Sequence, residues 1–345
     1  MAQGTSSPAY RVEDPIGAIE LYYEKGVTDG LPVVPPTEER VWQFLEAANR
    51  EPDDVIGTVT TRGRTITADK VAINAVMAGC LPEYMPVVVT AIEAMCQPEF
   101  GLHGNAASTD SSAHMVIVHG PIARELKVNC KGNLFGPGYR ANATIGRAIR
   151  LILMNVLGGT PGVLDKSTLG DSAKYSYCIA EDEELSPWEP LHVEKSLSPE
   201  SSAVTVFAAH SPSQFENHSS NTPEGILSTA AERMVATGVP NAGEVMIIIS
   251  PELLRYIARE NWSKKYVKSF LYEKSRRPLS YWEGVGKTEW ADVGSAKDDD
   301  LLAAVGSYED IMVLVGGGGA GAFGACIQPW GSGLSSHSVT KAIQI

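Results

Sequence analysis

The chain has 345 residues, 43% hydrophobic and 20% charged, with 33 glycines and 21 prolines, a turn-rich globular composition that excludes disordered and fibrous classes. A formal net charge of -13 repels phosphate backbones and anionic lipid, which argues against nucleic-acid and membrane partners. The N-terminal stretch reads as no secretory leader, and apolar runs such as Val245 to Ile249 are far too short to span a bilayer, so the expected setting is the cytoplasm.

From the N-terminus, Pro15 to Lys25 reads as a short helix, followed by an extended Gly/Pro-rich loop, Thr28 to Pro36. Thr37 caps a second helix, with Glu38 and Glu39 favouring its dipole. A hairpin is expected from Val55 to Thr67 around the Arg62-Gly63 turn, then a buried, almost wholly apolar helix from Ala68 to Ala78 that Gly79 ends. A further helix covers Pro82 to Met95, and a strand follows at His114 to His119. The clearest helix runs from Ala141 to Leu157, with Ile145, Ala148, Ile149, Ile152, Leu153 and Val156 on one stripe and a basic opposite face. Strands at Tyr175 to Ala180, Ala203 to Ala209, Glu244 to Ile249 and Ile311 to Val315 then alternate with helices at Gly225 to Thr237, Glu252 to Arg259 and Lys264 to Lys274.

This alternation predicts an α/β (or α+β) fold, a mixed sheet with helices on its faces. Two lobes are expected, residues 1–215 and 216–345, with the polar stretch 211–223 and the loop 276–300 as linkers. No repeat at a solenoid period is visible.

Five cysteines, Cys80, Cys96, Cys130, Cys178 and Cys326, form no CxxC pair and are expected to be reduced. Cys80 lies between two helices, in Gly79-Cys80-Leu81-Pro82-Glu83. If Pro82 opens the second helix, the sulfur faces the positive end of its dipole, which lowers a thiol pKa and makes a nucleophile beside Glu83. An anion site is expected at residues 131–140, where Gly136 and Gly138 let the backbone approach a ligand and lead to Arg140 and an Asn142 cap. Residues 121–150 agree in charge, holding six Lys/Arg (Arg124, Lys127, Lys131, Arg140, Arg147, Arg150) against Glu125 alone.

Gly319, Gly321 and Gly324 fit a G-x-G-x-x-G spacing, but an extended segment follows where a dinucleotide site needs a helix and a later acidic residue. A glycine nest for a substrate carboxylate, including Gly318 and Gly319, is the reading retained. His103 and His119 each sit beside glycine at an element end, where proton-moving groups tend to be presented. Glu181, Asp182, Glu183 and Glu189 form an acidic rim that offers a general acid or base.

Four blocks carry a resemblance: Thr28-Asp-Gly-Leu-Pro-Val-Val-Pro-Pro-Thr37, Lys70-Val-Ala-Ile-Asn-Ala-Val-Met-Ala-Gly-Cys-Leu-Pro-Glu-Tyr84, Phe135-Gly-Pro-Gly-Tyr-Arg-Ala-Asn-Ala-Thr-Ile-Gly-Arg147 and Ser186-Pro-Trp-Glu-Pro-Leu-His-Val-Glu194. Together they resemble a largely uncharacterised bacterial family, some members of which occur beside, or fused to, a small protein with a Cys (or selenocysteine)-Gly-Ser-Cys motif. The resemblance covers most of the chain up to about residue 210 and implies a separate thiol or selenol partner, since Trp330-Gly-Ser-Gly333 has neither sulfur.

The expected function is an enzyme, an oxidoreductase or lyase in which Cys80 acts on a small anionic substrate held by Arg140, Asn142 and backbone amides, with His119 or His103 moving the proton. One alternative is a lyase or hydrolase that uses carboxylates or a metal on His103, His114 and His119 with Cys80 inert; no other cofactor is expected. A second is a non-catalytic subunit scaffolding a thiol protein. Self-association into a homo-oligomer is expected without a coiled-coil seam.

Overall fold

The computed structural model describes residues 7–344; residues 1–6 and 345, the outer ends of the two expected lobes, lie outside the described residues. The chain begins with α1 (Pro15–Glu24), α2 (Glu38–Ala47), a ribbon of β1 (Val55–Val59) and β2 (Arg64–Thr67), α3 (Ala68–Ala78), α4 (Met85–Met95) and the single-turn α5 (Leu102–Asn105). It continues through β3 (Ala113–His119), α6 (Pro121–Glu125), α7 (Arg140–Asn155), β4 (Cys178–Ala180), α8 (Leu191–Glu194) and β5 (Ala203–Ala209). Next come β6 (Ser213–Glu216), α9 (Pro223–Thr237), β7 (Val245–Ile249), α10 (Pro251–Arg259), α11 (Lys264–Lys274), β8 (Arg277–Pro278) and α12 (Leu279–Gly284). The last elements are β9 (Leu301–Leu302), β10 (Ile311–Val315), β11 (Phe323–Ile327) and β12 (Val339–Ala342).

Local chemistry sets these boundaries. Asp14, Thr37, Thr222 and Ser263 each accept a backbone N–H in the first turn of α1, α2, α9 and α11. Gly79 takes the left-handed conformation, φ 89°, that stops α3. Pro86 matters too: residues 82–84 form only a 3-10 turn, and the α-helix proper starts at Met85.

Two four-stranded mixed sheets form the centre, in the orders β12-β5-β3-β4 and β10-β7-β11-β6. Strand alternation divides the apolar residues into three layers. Val116, Val118, Val204 and Val206 face α3, α4 and α7 on one outside, while Val245, Ile247, Val313 and Val315 face α9, α10 and α11 on the other. Met115, Ile117, Ile179, Phe207, Met246, Ile248, Met312 and Leu314 meet between the sheets. The α/β class is as expected, built here as helices, sheet, sheet, helices.

The halves repeat one plan. A helix (α4 or α9) leads to a central strand (β3 or β7), a helical crossover leads to a parallel neighbour (β4 or β10), and an antiparallel strand (β5 or β11) follows. The next strand then leaves for the other sheet: β6 pairs with β11, and β12 pairs with β5. The two exchanges pass each other where Ala209 bridges Pro329 and the His210 N–H donates to the Gln328 carbonyl at 3.0 Å. Residue 215 therefore falls inside β6, the stretch 211–223 holds a strand, and the loop 276–300 holds β8 and α12. Among the described residues no helix is long and apolar enough to cross a membrane.

Candidate functional site

In mixed α/β sheets, ligands gather beyond the carboxyl ends of parallel strands. Here β3 and β4 are the parallel pair of the first sheet, and both end in chemistry. His119 closes β3 on the inter-sheet face, two residues beyond Ile117. Glu181 continues the same face of β4 beyond Ile179, Glu183 follows in the loop, and α8 brings in His192. Gly120 makes the close approach: at φ 74° it donates its N–H to Glu183 Oε1 at 2.8 Å, and a Cβ there would collide with the Ser201 carbonyl oxygen.

His119, Glu183 and His192 each offer a donor atom, and the three atoms lie within 4.8 Å of one another. Glu183 Oε1 is 3.6 Å from His192 Nδ1 and 3.9 Å from His119 Nδ1. Glu181 Oε2 stands 3.8 Å from His119 Nδ1 while accepting the Leu191 N–H at 2.9 Å. Both imidazoles are wholly buried, yet His119 Nδ1, both nitrogens of His192 and Glu181 Oε1 have no hydrogen-bond partner. Four orphaned polar atoms at one buried point are costly, because each has given up water and gained nothing in return.

The surroundings keep the donors in ligating form. His119 Nε2 lies 2.9 Å from Thr205 Oγ1, which is 2.8 Å from Thr340 Oγ1 on the exchanged strand β12. An Nε2–H engaged by that hydroxyl leaves the Nδ1 lone pair aimed at the carboxylates, the outer-shell arrangement that fixes the tautomer of metal-binding histidines. Burial pushes His119 down to about 3, with His192 and Lys264 adding to the shift, so the ring is neutral. Burial pushes Glu181 up to about 7, against the attraction of Lys264. Lys264 and Lys268 of α11 clamp Glu194, each at 3.0 Å, and so anchor the short helix that bears His192.

Two histidines and a carboxylate with further room are the donor set of catalytic zinc and of mononuclear iron. A cavity of about 110 Å³ shares Glu181 and Glu183 with the cluster and is lined as well by Gly120, Cys130, Arg124, Lys127 and Lys131. Beside it, the Gly317 N–H donates to the Cys130 carbonyl at 2.9 Å and Lys131 bridges Gly317, so loops from the two halves meet.

Among the residues singled out from sequence, His119 and, from the acidic rim, Glu181 and Glu183 enter this cluster; Asp182, Glu189 and the others do not. Cys80 is only 5% exposed, and burial pushes its thiol up to about 12 despite Thr144 and Arg140, so at neutral pH the sulfur is protonated and walled in. Arg140 does lie beside it, but donates to the Gly79 carbonyl at 3.0 and 3.1 Å, closing the end of α3. Glu83 is exposed on the 3-10 turn. Asn142 is not the cap of α7, a position Tyr139 holds; its buried amide accepts from the Asn129 N–H and donates to the Asn129 and Cys178 carbonyls.

His103 is exposed and accepts from Arg62 Nε at 2.8 Å, away from His119. His114 faces α5, its Nε2 2.8 Å from Asn105 Oδ1, because positions 114 and 119 fall on opposite faces of β3. The expected His103, His114, His119 metal set therefore does not assemble. Gly136 and Gly318 meet across a separate cavity of about 410 Å³ with Ser250, Phe135 and Phe323, while Gly138 and Gly319 belong to the same two loops. The glycines at 319, 321 and 324 lead into β11.

No protein-family model, no curated protein and no solved structure matches the chain. The site is therefore read from its own geometry.

Proposed function

We propose that this protein is a metal-dependent enzyme, a hydrolase or lyase of small molecules, whose centre is His119, Glu183 and His192 with Glu181 alongside. The observation that carries the reading is the convergence of buried imidazole nitrogens without partners on one carboxylate, within 4.8 Å. A divalent ion there supplies Lewis acidity and a lowered pKa for a neighbouring water. The chain's own residues hold the geometry: Thr205 sets the His119 tautomer, the Gly120 N–H fixes Glu183, and the Leu191 N–H holds Glu181. Glu181 Oε1, unpartnered beside the donors, is the atom available to take a proton from a reacting group. Five free cysteines fit a reducing, cytoplasmic setting.

The test is metal analysis of untagged protein, followed by titration of the chelated protein with Zn²⁺ and Co²⁺. One ion per chain is expected, with affinity reduced about 100-fold or more in His192→Ala. Protein that binds neither ion, or binds both equally well without His119 and His192, overturns the reading.

A further inference from the structure

The cavity that shares Glu181 and Glu183 with the cluster has a charge pattern that the metal centre alone leaves unused. Arg124, Lys127 and Lys131 all border the 110 Å³ cavity, and none of the three takes part in an ion pair or side-chain hydrogen bond among the described residues. Elsewhere in this acidic chain comparable cations are engaged: Arg147 with Asp29 at 2.7 Å, Arg150 and Lys174 with Asp165 at 3.0 and 2.8 Å, and Lys264 with Glu194 at 3.0 Å. Three unengaged cations around one small cavity, in a chain of net charge -13, are a local concentration of positive side chains.

The same cavity is bordered by Glu181, Asp182, Glu183 and Glu184. Three cations face four carboxylates, so the cavity carries no excess of positive charge until a divalent ion on the histidine cluster supplies it. The cavity favours an anion only when the metal is bound. Its volume is a few waters' worth, at about 30 Å³ each, so the ligand is small. Backbone contacts hold the rim in place: Lys131 is bridged to Gly317 through the Gly317 N–H to the Cys130 carbonyl, and its own N–H donates to Asn129 Oδ1 at 3.0 Å.

Resting on the metal reading, we infer that the centre takes a small oxyanion, a carboxylate or an inorganic oxyanion, with one oxygen toward the ion and its remaining charge against Lys127, Lys131 and Arg124. Arg140 plays no part, since its guanidinium is committed to the end of α3. The recognition is electrostatic and metal-gated, and an uncharged amide of the same shape is excluded.

The experiment uses the full chain loaded with Co²⁺, whose visible absorption reports its ligands, titrated separately with acetate, oxalate, inorganic phosphate and acetamide. Binding by oxalate or acetate but not phosphate assigns a carboxylate substrate; binding by phosphate assigns an inorganic or phosphoryl oxyanion. Acetamide should bind at least tenfold more weakly than acetate. The variant Lys127→Gln/Lys131→Gln, both positions being exposed, should hold Co²⁺ as the parent does and lose at least tenfold in anion affinity. Anion affinity unchanged in that variant, or no spectral response to any anion, overturns the inference while leaving the metal reading intact. If Co²⁺ does not bind, the metal reading fails and the metal-gated anion site falls with it, an outcome distinct from Co²⁺ binding without an anion response.

Discussion

The two halves of the molecule share strand order, strand direction and helix placement, and they differ at the carboxyl ends of their parallel strands. β3 ends in His119 before Gly120-Pro121, and Glu181-Asp182-Glu183 follows β4; after β7 and β10 come Ser250-Pro251 and Gly316-Gly317-Gly318. Where the first half places imidazoles and carboxylates, the second places glycine, and the cavity there is larger, about 410 Å³ against 110 Å³. One frame thus yields a charged, tightly held centre and a hollow lined by glycines and uncharged side chains such as Phe135, Ser250 and Phe323. The layered core and exchanged strands make the frame tolerant of either, so chemistry is decided by the few residues just past the strands.

The strongest challenge to that picture is to ask whether the halves are one folding unit. Each sheet carries the other half's last strand, and Phe207, 1% exposed, packs between the sheets against the second half's Met246 and Ile248. Phe207→Ala should cost about 3–5 kcal/mol, from lost transfer energy plus the cavity left behind. Urea unfolding followed by tryptophan fluorescence and by far-UV circular dichroism should shift as a single transition. A variant that unfolds in two separated steps breaks the comparison, since the halves would then be independent domains.

Next in size is the asymmetry of the strand ends. Thr205→Val should weaken metal binding about 10–100-fold by releasing the His119 tautomer, because outer-shell partners are worth that much. Ser250→Ala, at the corresponding end of the second sheet, should leave metal affinity unchanged. Equal losses in the two variants, read by competition against a chromophoric chelator, would show that the centre is not confined to the first half.

The glycines that shape the two ends provide a smaller contrast. Gly120→Ala should destabilise by about 1–3 kcal/mol, since it combines φ 74° with a collision at Ser201. Gly319→Ala meets nothing within 4 Å and should be neutral or stabilising by about 0.4–1 kcal/mol through the unfolded state. Thermal midpoints of the two proteins, taken side by side, decide whether the first end is as tightly built as the second is open.

Most of the frame was legible in the chain, because periodicity and capping are local. The α3 pattern, the Thr37 cap, the Gly79 stop and most of the longer helices and strands around them follow from nearest-neighbour chemistry. The exchange of strands was not. β12, Val339-Thr-Lys-Ala342, is four residues of an edge strand with no apolar alternation to mark it, and its partner β5 lies more than a hundred residues away. The site divides the same way. His119 and the Glu181 to Glu183 rim stood out as groups at element ends, but His192 sits in a four-residue helix inside a proline-rich loop, and only the fold brings it to Glu183. Cys80 misled because the sequence shows a helix junction and not the Thr144 and Arg140 side chains that close over it; the helix also starts at Met85, behind a 3-10 turn. A sequence motif cannot report whether a sulfur sees water.

The least effect is expected at the crossing of the exchanged strands, where the halves differ again: His210 follows β5, and Gln328-Pro329 follows β11. His210 Nε2 is 3.4 Å from Asp110 Oδ2, and this partner raises the imidazole's pKa. Burial is the largest single influence on Asp110 and raises it, but His210 together with hydrogen bonds from the Gly331 and Ser111 backbone lowers the carboxyl on balance. A raised histidine stabilises fully below its ordinary value, about 6.5, and the stabilisation fades as pH rises through the folded value; the lowered aspartate stabilises above its ordinary value, about 3.9, and fades in acid. The pair therefore contributes most between those limits. Both side chains are about a third or more exposed, so screening keeps the gain within about 1 kcal/mol. Denaturation midpoints from pH 5 to pH 8 should fall slightly more in the parent than in His210→Gln; parallel slopes would show that the crossing is held by the backbone contact to Gln328 alone.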